Sequence, residues 1–178
     1  MQNSIKSEIN SITPLDAKEK KTQEEIIEWI DSGAELFRIK KPDVPTKHLV
    51  SYFVVVDGDY ILLVDHKKAH LWLPTGGHVE PNERPRDTVV REVKEELNIE
   101  GQFLIEKPIF LTSTQTVGTT AGHTDVCIWY VLKGDRNIKY DYDTSEFNQI
   151  RWFHRDEIPF NQTDPELPRF LDKLYSKI

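Results

Sequence analysis

The chain has 178 residues, a net charge of −7 and one cysteine, Cys127. A chain of this length forms one domain, with or without an added terminal element, and buries about two-thirds of its unfolded surface without disulfide staples. The negative charge excludes a general affinity for nucleic-acid backbones, and the lone thiol excludes both a disulfide framework and a multi-cysteine zinc site. No apolar run approaches the ~20 residues that cross a bilayer, and Met1 to Asn10 is polar, with no secretory signal core. A cytoplasmic protein is the expectation.

Residues 1–46 read as a helical extension. Thr13-Pro14 offers a helix start, and Thr22-Gln23-Glu24-Glu25 has capping-box spacing ahead of the apolar stripe Ile26, Ile27 and Ile30. Gly33 offers a stop. Packing on the core is the expected role of this extension; the alternative is an element that pairs two copies as a homodimer or covers substrate. Lys41-Pro42-Asp43-Val44-Pro45 then breaks regular structure, and the domain proper is expected over 47–178.

β-Branched and aromatic residues predict strands over 48–56 and 60–64, joined at Asp57-Gly58-Asp59, and further strands over 103–114, 124–132 and 149–153. Cys127, inside the apolar run 126–132, is expected in the core. One helix is predicted over 85–97 and another within 164–178, through Leu167, Phe170, Leu171 and Leu174. Strands, a helix, more strands and a final helix imply an α/β fold with a mixed sheet flanked by helices.

The helix over 85–97 carries the chemistry. Pro85 suits its first position, where a missing N–H is no loss. On a wheel at about 100° per residue, Val89, Val90, Val93 and Leu97 share one arc, and Glu92, Glu95 and Glu96 share the arc beside it, with Arg91 at its edge. Glu92 is a helical neighbour of both Glu95 and Glu96, so the three charges repel, and Lys94 points elsewhere. A divalent cation such as Mg²⁺ or Mn²⁺, which prefers hard oxygen ligands, relieves that repulsion. A solvated acidic face is the competing reading of the helix alone.

Residues 77–99 resemble the Nudix box of the MutT-like hydrolases, G-x5-E-x7-R-E-U-x-E-E-x-G-U with U a bulky aliphatic. Gly77, Glu83, Arg91, Glu92, Val93, Glu95, Glu96 and Ile99 fill the defined positions. Asn98 stands in place of glycine, and asparagine is the next most tolerant residue at a left-handed helix end. The resemblance implies an α/β/α sandwich with a mixed central sheet, preceded here by the helical extension. It implies Mg²⁺- or Mn²⁺-dependent cleavage of a nucleoside diphosphate linked to another moiety, with a nucleoside triphosphate, modified or not, yielding monophosphate and pyrophosphate as the leading case. By resemblance Glu96 is a metal ligand, Glu92 and Glu95 share metal binding or deprotonate the attacking water, and the Gly76 carbonyl completes the site. Glu83 pairs with Arg91, which bracing orients Glu92. The Gly76-Gly77 pair lets backbone approach the metal. Family members often add an acid outside the box; Asp125, Asp143 and Glu146 are the candidates, with Glu146 preferred.

Weaker signals remain open. His78, directly after the glycines, is either a phosphate contact or a surface residue, and Trp72 and Phe53 either stack on a base or fill the core. The Thr114–His123 loop is a substrate contact or a hairpin turn. His66 and His70 lack the intervening glutamate of a zinc helix and read as a solvated loop. Two other functions compete: a non-catalytic nucleotide-metabolite sensor, against which the complete set of box acids argues, and an isoprenoid-diphosphate isomerase, which would need Cys127 as a reactive group.

Overall fold

A computed structural model describes residues 1–116 and 122–178. Among these residues four helices flank a seven-stranded mixed sheet. The helices are α1 (Gln2–Asn10), α2 (Ala17–Asp31), α3 (Pro85–Leu97) and α4 (Leu167–Tyr175). The strands are β1 (Lys47–Asp57), β2 (Tyr60–His66), β3 (Leu71–Leu73), β4 (Thr75–His78), β5 (Gln102–Gln115), β6 (Thr124–Lys133) and β7 (Phe147–His154). The strand order is β3-β2-β1-β6-β5, with β4 on β1 and β7 on β2. Only β1 and β6 run parallel.

The side-chain alternation of the central strands divides the core into two faces. Leu49, Phe53 and Val55 of β1, with Val126, Ile128 and Tyr130 of β6, meet α1, α2 and α3. Val50, Val54 and Val56 of β1, with Cys127, Trp129 and Val131 of β6, meet Leu167, Phe170, Leu171 and Leu174 of α4. The layers are helix, sheet, helix, as the box resemblance implies. Cys127 is buried in the second face.

One edge of β1 is shared between two partners. Its second half pairs with β2 from Val55 to Asp57, across a tight turn with Gly58 at positive φ. Its first half, Val50 to Phe53, pairs instead with β4. That substitution sets the Gly76-Gly77 backbone against α3.

The extension packs into the first face through Ile5 and Ile9 of α1 and Ile26 and Ile30 of α2, the i,i+4 spacing that gives each helix one apolar stripe. The cap of α2 differs from the sequence expectation. Asp16, not Thr22, caps the helix, its side chain accepting from Glu19 N, while Glu19 Oε2 accepts from Leu15 N. Thr13-Pro14 lies between the helices, and Thr22 lies inside α2. Among the described residues no helix is long and apolar enough to cross a membrane.

Candidate functional site

The α3 helix starts at Pro85 and ends in Asn98, whose φ of 51° and ψ of 37° are left-handed, with its N–H donating to Lys94 O. The asparagine therefore serves the backbone geometry for which glycine is usually required. The helix meets the sheet through Val89, Val93 and Leu97, whereas Val90, at the edge of the expected apolar arc, is 47% exposed. The buried sector is shifted away from Val90, and it takes in Glu96, only about 20° from Val89. Glu96 is accordingly 6% exposed, while the Glu95 side chain is 61% exposed.

Glu96 has little to offset its burial. Its Oε2 accepts one hydrogen bond, 3.0 Å from Gly76 N. Burial pushes its carboxyl well above the ordinary range, and the nearby charges of Glu92 and Glu146 push it further. Glu92 is raised by the same cause, held back by Arg91. Arg91 links the acids: Nε and Nη2 make a two-pronged contact to Glu83 at 2.9 and 2.8 Å, and Nη1 reaches Glu92 Oε1 at 2.6 Å. The same guanidinium donates to His78 O at 3.1 Å and lies 3.6 Å from Glu95. Burial works against charge on Glu83, but its bonds from Arg91 and Thr88 outweigh that and hold it below its usual value.

The two glycines of β4 are required for different reasons. At Gly76, φ is 150° and a Cβ would fall 2.2 Å from Ser51 O. At Gly77 a Cβ would fall 1.9 Å from Glu92 Oε1. The strand approaches α3 so closely that the carboxylate occupies the place of a side chain.

These groups line a groove of about 1320 Å³. It brings together Gly76, Gly77, His78, Arg91, Glu92, Glu95, Glu96 and Glu146, all expected from the sequence to belong to one site. Trp72 lies apart: it does not line the groove, and its ring stands edge-on to Phe153. Glu83 lies behind Arg91, bracing it rather than lining the groove. Of the candidate additional acids, Asp125 and Glu146 line the groove, and Asp143 does not; its backbone N–H donates to Glu96 O instead. Residues 117–121 of the expected Thr114–His123 loop lie outside the described residues.

The opposite wall of the groove was legible only in part: Asp125 and the Thr114–His123 loop were candidates, whereas Arg38, Asp43, His48 and Asp164 were not. Arg38, Asp43, Asp125, His123 and Asp164 meet there beside His78. His48 is 0% exposed, with its ring 4.7 Å from that of His78 and 5.0 Å from that of His123. The only sequence signal for His48 was histidine at a core-facing strand position. His78 is neutral near pH 7, since burial, with the neighbouring Arg38, depresses its pKa to about 3. Asp164 is raised to about 6 by burial.

Comparison with known proteins agrees with this geometry. The NUDIX domain family matches residues 46–174. An asymmetrical bis(5'-nucleosyl)-tetraphosphatase of Rattus norvegicus is 29% identical over 111 residues, 62% of this chain and 74% of that protein. Among solved structures, a NUDIX-family hydrolase of Clostridium perfringens superposes with a TM-score of 0.55 at 22% identity, over 69% of this chain and 92% of the other. A NUDIX hydrolase of Nitrosomonas europaea gives 0.59 at 20% identity, over 72% and 88%. The family match spans the whole sheet, α3 and nearly all of α4 and leaves α1 and α2 outside it. With its box acids gathered at one groove on the sandwich those structures share, the chain belongs to the NUDIX family and is a hydrolase of anhydride bonds.

Proposed function

We propose that the chain hydrolyses the diphosphate linkage of a nucleoside diphosphate joined to another moiety, with Mg²⁺ or Mn²⁺ as cofactor. The observation that carries this reading is Glu96, a buried carboxylate with a single backbone donor, beside the half-buried carboxylate of Glu92 on the same groove. Glu96 is compensated poorly by the protein itself, and the cluster fits a hard divalent ion held by Glu96, Glu92 and Glu95 with the Gly76 carbonyl. When bound, the ion supplies positive charge to the diphosphate oxygens.

The protein's own groups do the rest. Arg91, fixed by two bonds to Glu83, holds Glu92 by one carboxylate oxygen and leaves the other to accept a proton. Glu92 takes that proton from a water attacking phosphorus, the bridging P–O bond breaks, and the electron pair leaves on the departing phosphate. Glu146, near enough to Glu92 and Glu96 to raise both, is preferred to Asp125 as a further base or ligand. The apolar residues Val50, Tyr52 and Leu73 on the same groove suit a nucleoside. The reading places the protein in the cytoplasm, where nucleotides and free Mg²⁺ meet.

A nucleoside triphosphate giving monophosphate and pyrophosphate is the first substrate class. A dinucleoside polyphosphate is the second, favoured by the name of the rat relative and by a groove larger than the ~1000 Å³ that holds most small ligands. The test is product analysis over nucleoside triphosphates, nucleotide sugars and dinucleoside tetraphosphates, with and without Mg²⁺, beside Glu96→Gln. Metal-dependent turnover lost in the variant supports the hydrolase site. Calorimetric binding without turnover of any substrate supports the sensor reading instead.

A further inference from the structure

We propose that Asp43, His48, His78 and His123 bind one zinc-class divalent cation, at a site separate from the α3 carboxylates. One donor atom from each lies within 4.8 Å of the others. They come from four places: the loop that ends the N-terminal extension, β1, β4, and the residue before β6. A tetrahedral zinc site places its donors about 3.3 Å apart, so the cluster needs a contraction of roughly 1.5 Å at its widest. Asp43, half-buried on a loop, can move to supply it.

The protonation pattern points to a cation. His48 Nδ1 lies 2.8 Å from Pro45 O, and a carbonyl only accepts, so Nδ1 carries the proton. In the neutral ring Nε2 then presents a lone pair to the cluster, the orientation found in metal-bound histidines. That Nε2 is buried and makes no hydrogen bond. Opposite it, at 3.2 Å, stands Asp125 Oδ1, also buried and without a hydrogen bond. Two acceptors therefore face one another, and His78 Nε2 is a third buried atom with no partner. A proton on His48 Nε2, which Asp125 favours, would remove one conflict, but His78 Nε2 would stay unpaired. One cation takes the lone pairs of both histidines and answers the charge of Asp125 beside it.

The donor set also selects the ion. Three imidazoles and one carboxylate suit Zn²⁺ and its neighbours rather than Mg²⁺. Arg38, 3.9 Å from Asp43, opposes a cation, but the carboxylates Asp43 and Asp125 outnumber it. His123 spans the two acids, with Nδ1 3.3 Å from Asp43 and Nε2 3.3 Å from Asp125. Asp43 precedes the segment that matches the family, so this site depends on the chain's own extension. It also touches the hydrolytic groove: the His78 ring belongs to the cluster, and its carbonyl holds Arg91.

The test uses the full chain stripped with a chelator and titrated with Zn²⁺ alone in the presence of excess Mg²⁺. Binding is read by calorimetry and metal analysis, and the imidazole nitrogens by NMR. One equivalent should bind, shift the nitrogens of His48, His78 and His123, and remain in Glu96→Gln. Affinity should fall by about tenfold or more in Asp43→Asn and His123→Asn. Asp43→Asn, on a half-buried loop, carries the comparison if a histidine variant does not fold. The proposal is overturned by no binding, by binding lost in Glu96→Gln but kept in Asp43→Asn, or by unmoved histidine nitrogens.

Discussion

Two glutamates of this chain are buried in opposite ways. Glu19, on α2, is 1% exposed, and both of its oxygens meet Lys173 Nζ, at 2.7 and 2.8 Å. Backbone N–H groups of Leu15 and Leu111 complete its shell. Glu96, on α3, is nearly as buried but has only the Gly76 N–H. The first is closed, its charge answered within the protein, and it ties the extension to β5 and α4. The second is open, its charge answered by one backbone donor among the described residues. Burial alone does not mark a functional acid; burial without compensation does.

Breaking the closed pair should have the largest effect. Lys173→Met leaves Glu19 charged and alone and should cost about 3–5 kcal/mol in urea unfolding. Adding Glu19→Gln should recover most of that loss, because the penalty belongs to the unpaired charge.

Asp164 is an intermediate case, with one backbone donor from Glu166 at 2.7 Å and a pKa raised to about 6. A folded-state pKa above the unfolded value of 3.8 favours the protonated form in the fold. Its contribution is therefore full below about pH 4 and is lost as pH rises through 6, a fall of about 3 kcal/mol. Unfolding free energies over this range should show that slope, and Asp164→Asn should flatten it.

Arg91→Lys keeps the charge but not the two-pronged contact to Glu83, and kcat/KM should fall by about 10–100-fold with a small change in stability. Asn98→Gly is the smallest change. It relieves a left-handed φ at the end of α3 without touching an acid, so stability should move by no more than about 1 kcal/mol and turnover should not move.

The box was legible because its logic is local: Glu92 adjoins Glu96 through helical spacing, while the Glu83–Arg91 pair, which joins the preceding loop to α3, was expected from the box resemblance. The long strands were legible from their β-branched runs. β4 was not, because Thr75-Gly76-Gly77-His78 has no strand propensity and pairs only because β2 leaves half of β1 free. α1 was hidden in a polar stretch whose apolar contacts are Ile5 and Ile9. The histidine wall was legible only in part, through His78, Asp125 and the loop ending at His123. His48 and Asp125 are partners only through the parallel register of β1 and β6, which no short spacing reveals.

The comparison rests on Glu96 being uncompensated, and the most direct measurement is the unfolding free energy of wild type and Glu96→Gln near pH 7, with chelator and with Mg²⁺. A carboxyl raised by burial contributes most while protonated, and that contribution is lost as pH rises above the unfolded value, so by pH 7 Glu96 burdens the metal-free fold. The account predicts that Glu96→Gln is the more stable protein in chelator and that Mg²⁺ stabilises only the wild type. A variant less stable than wild type in chelator, or equal stabilisation of both by Mg²⁺, would contradict it.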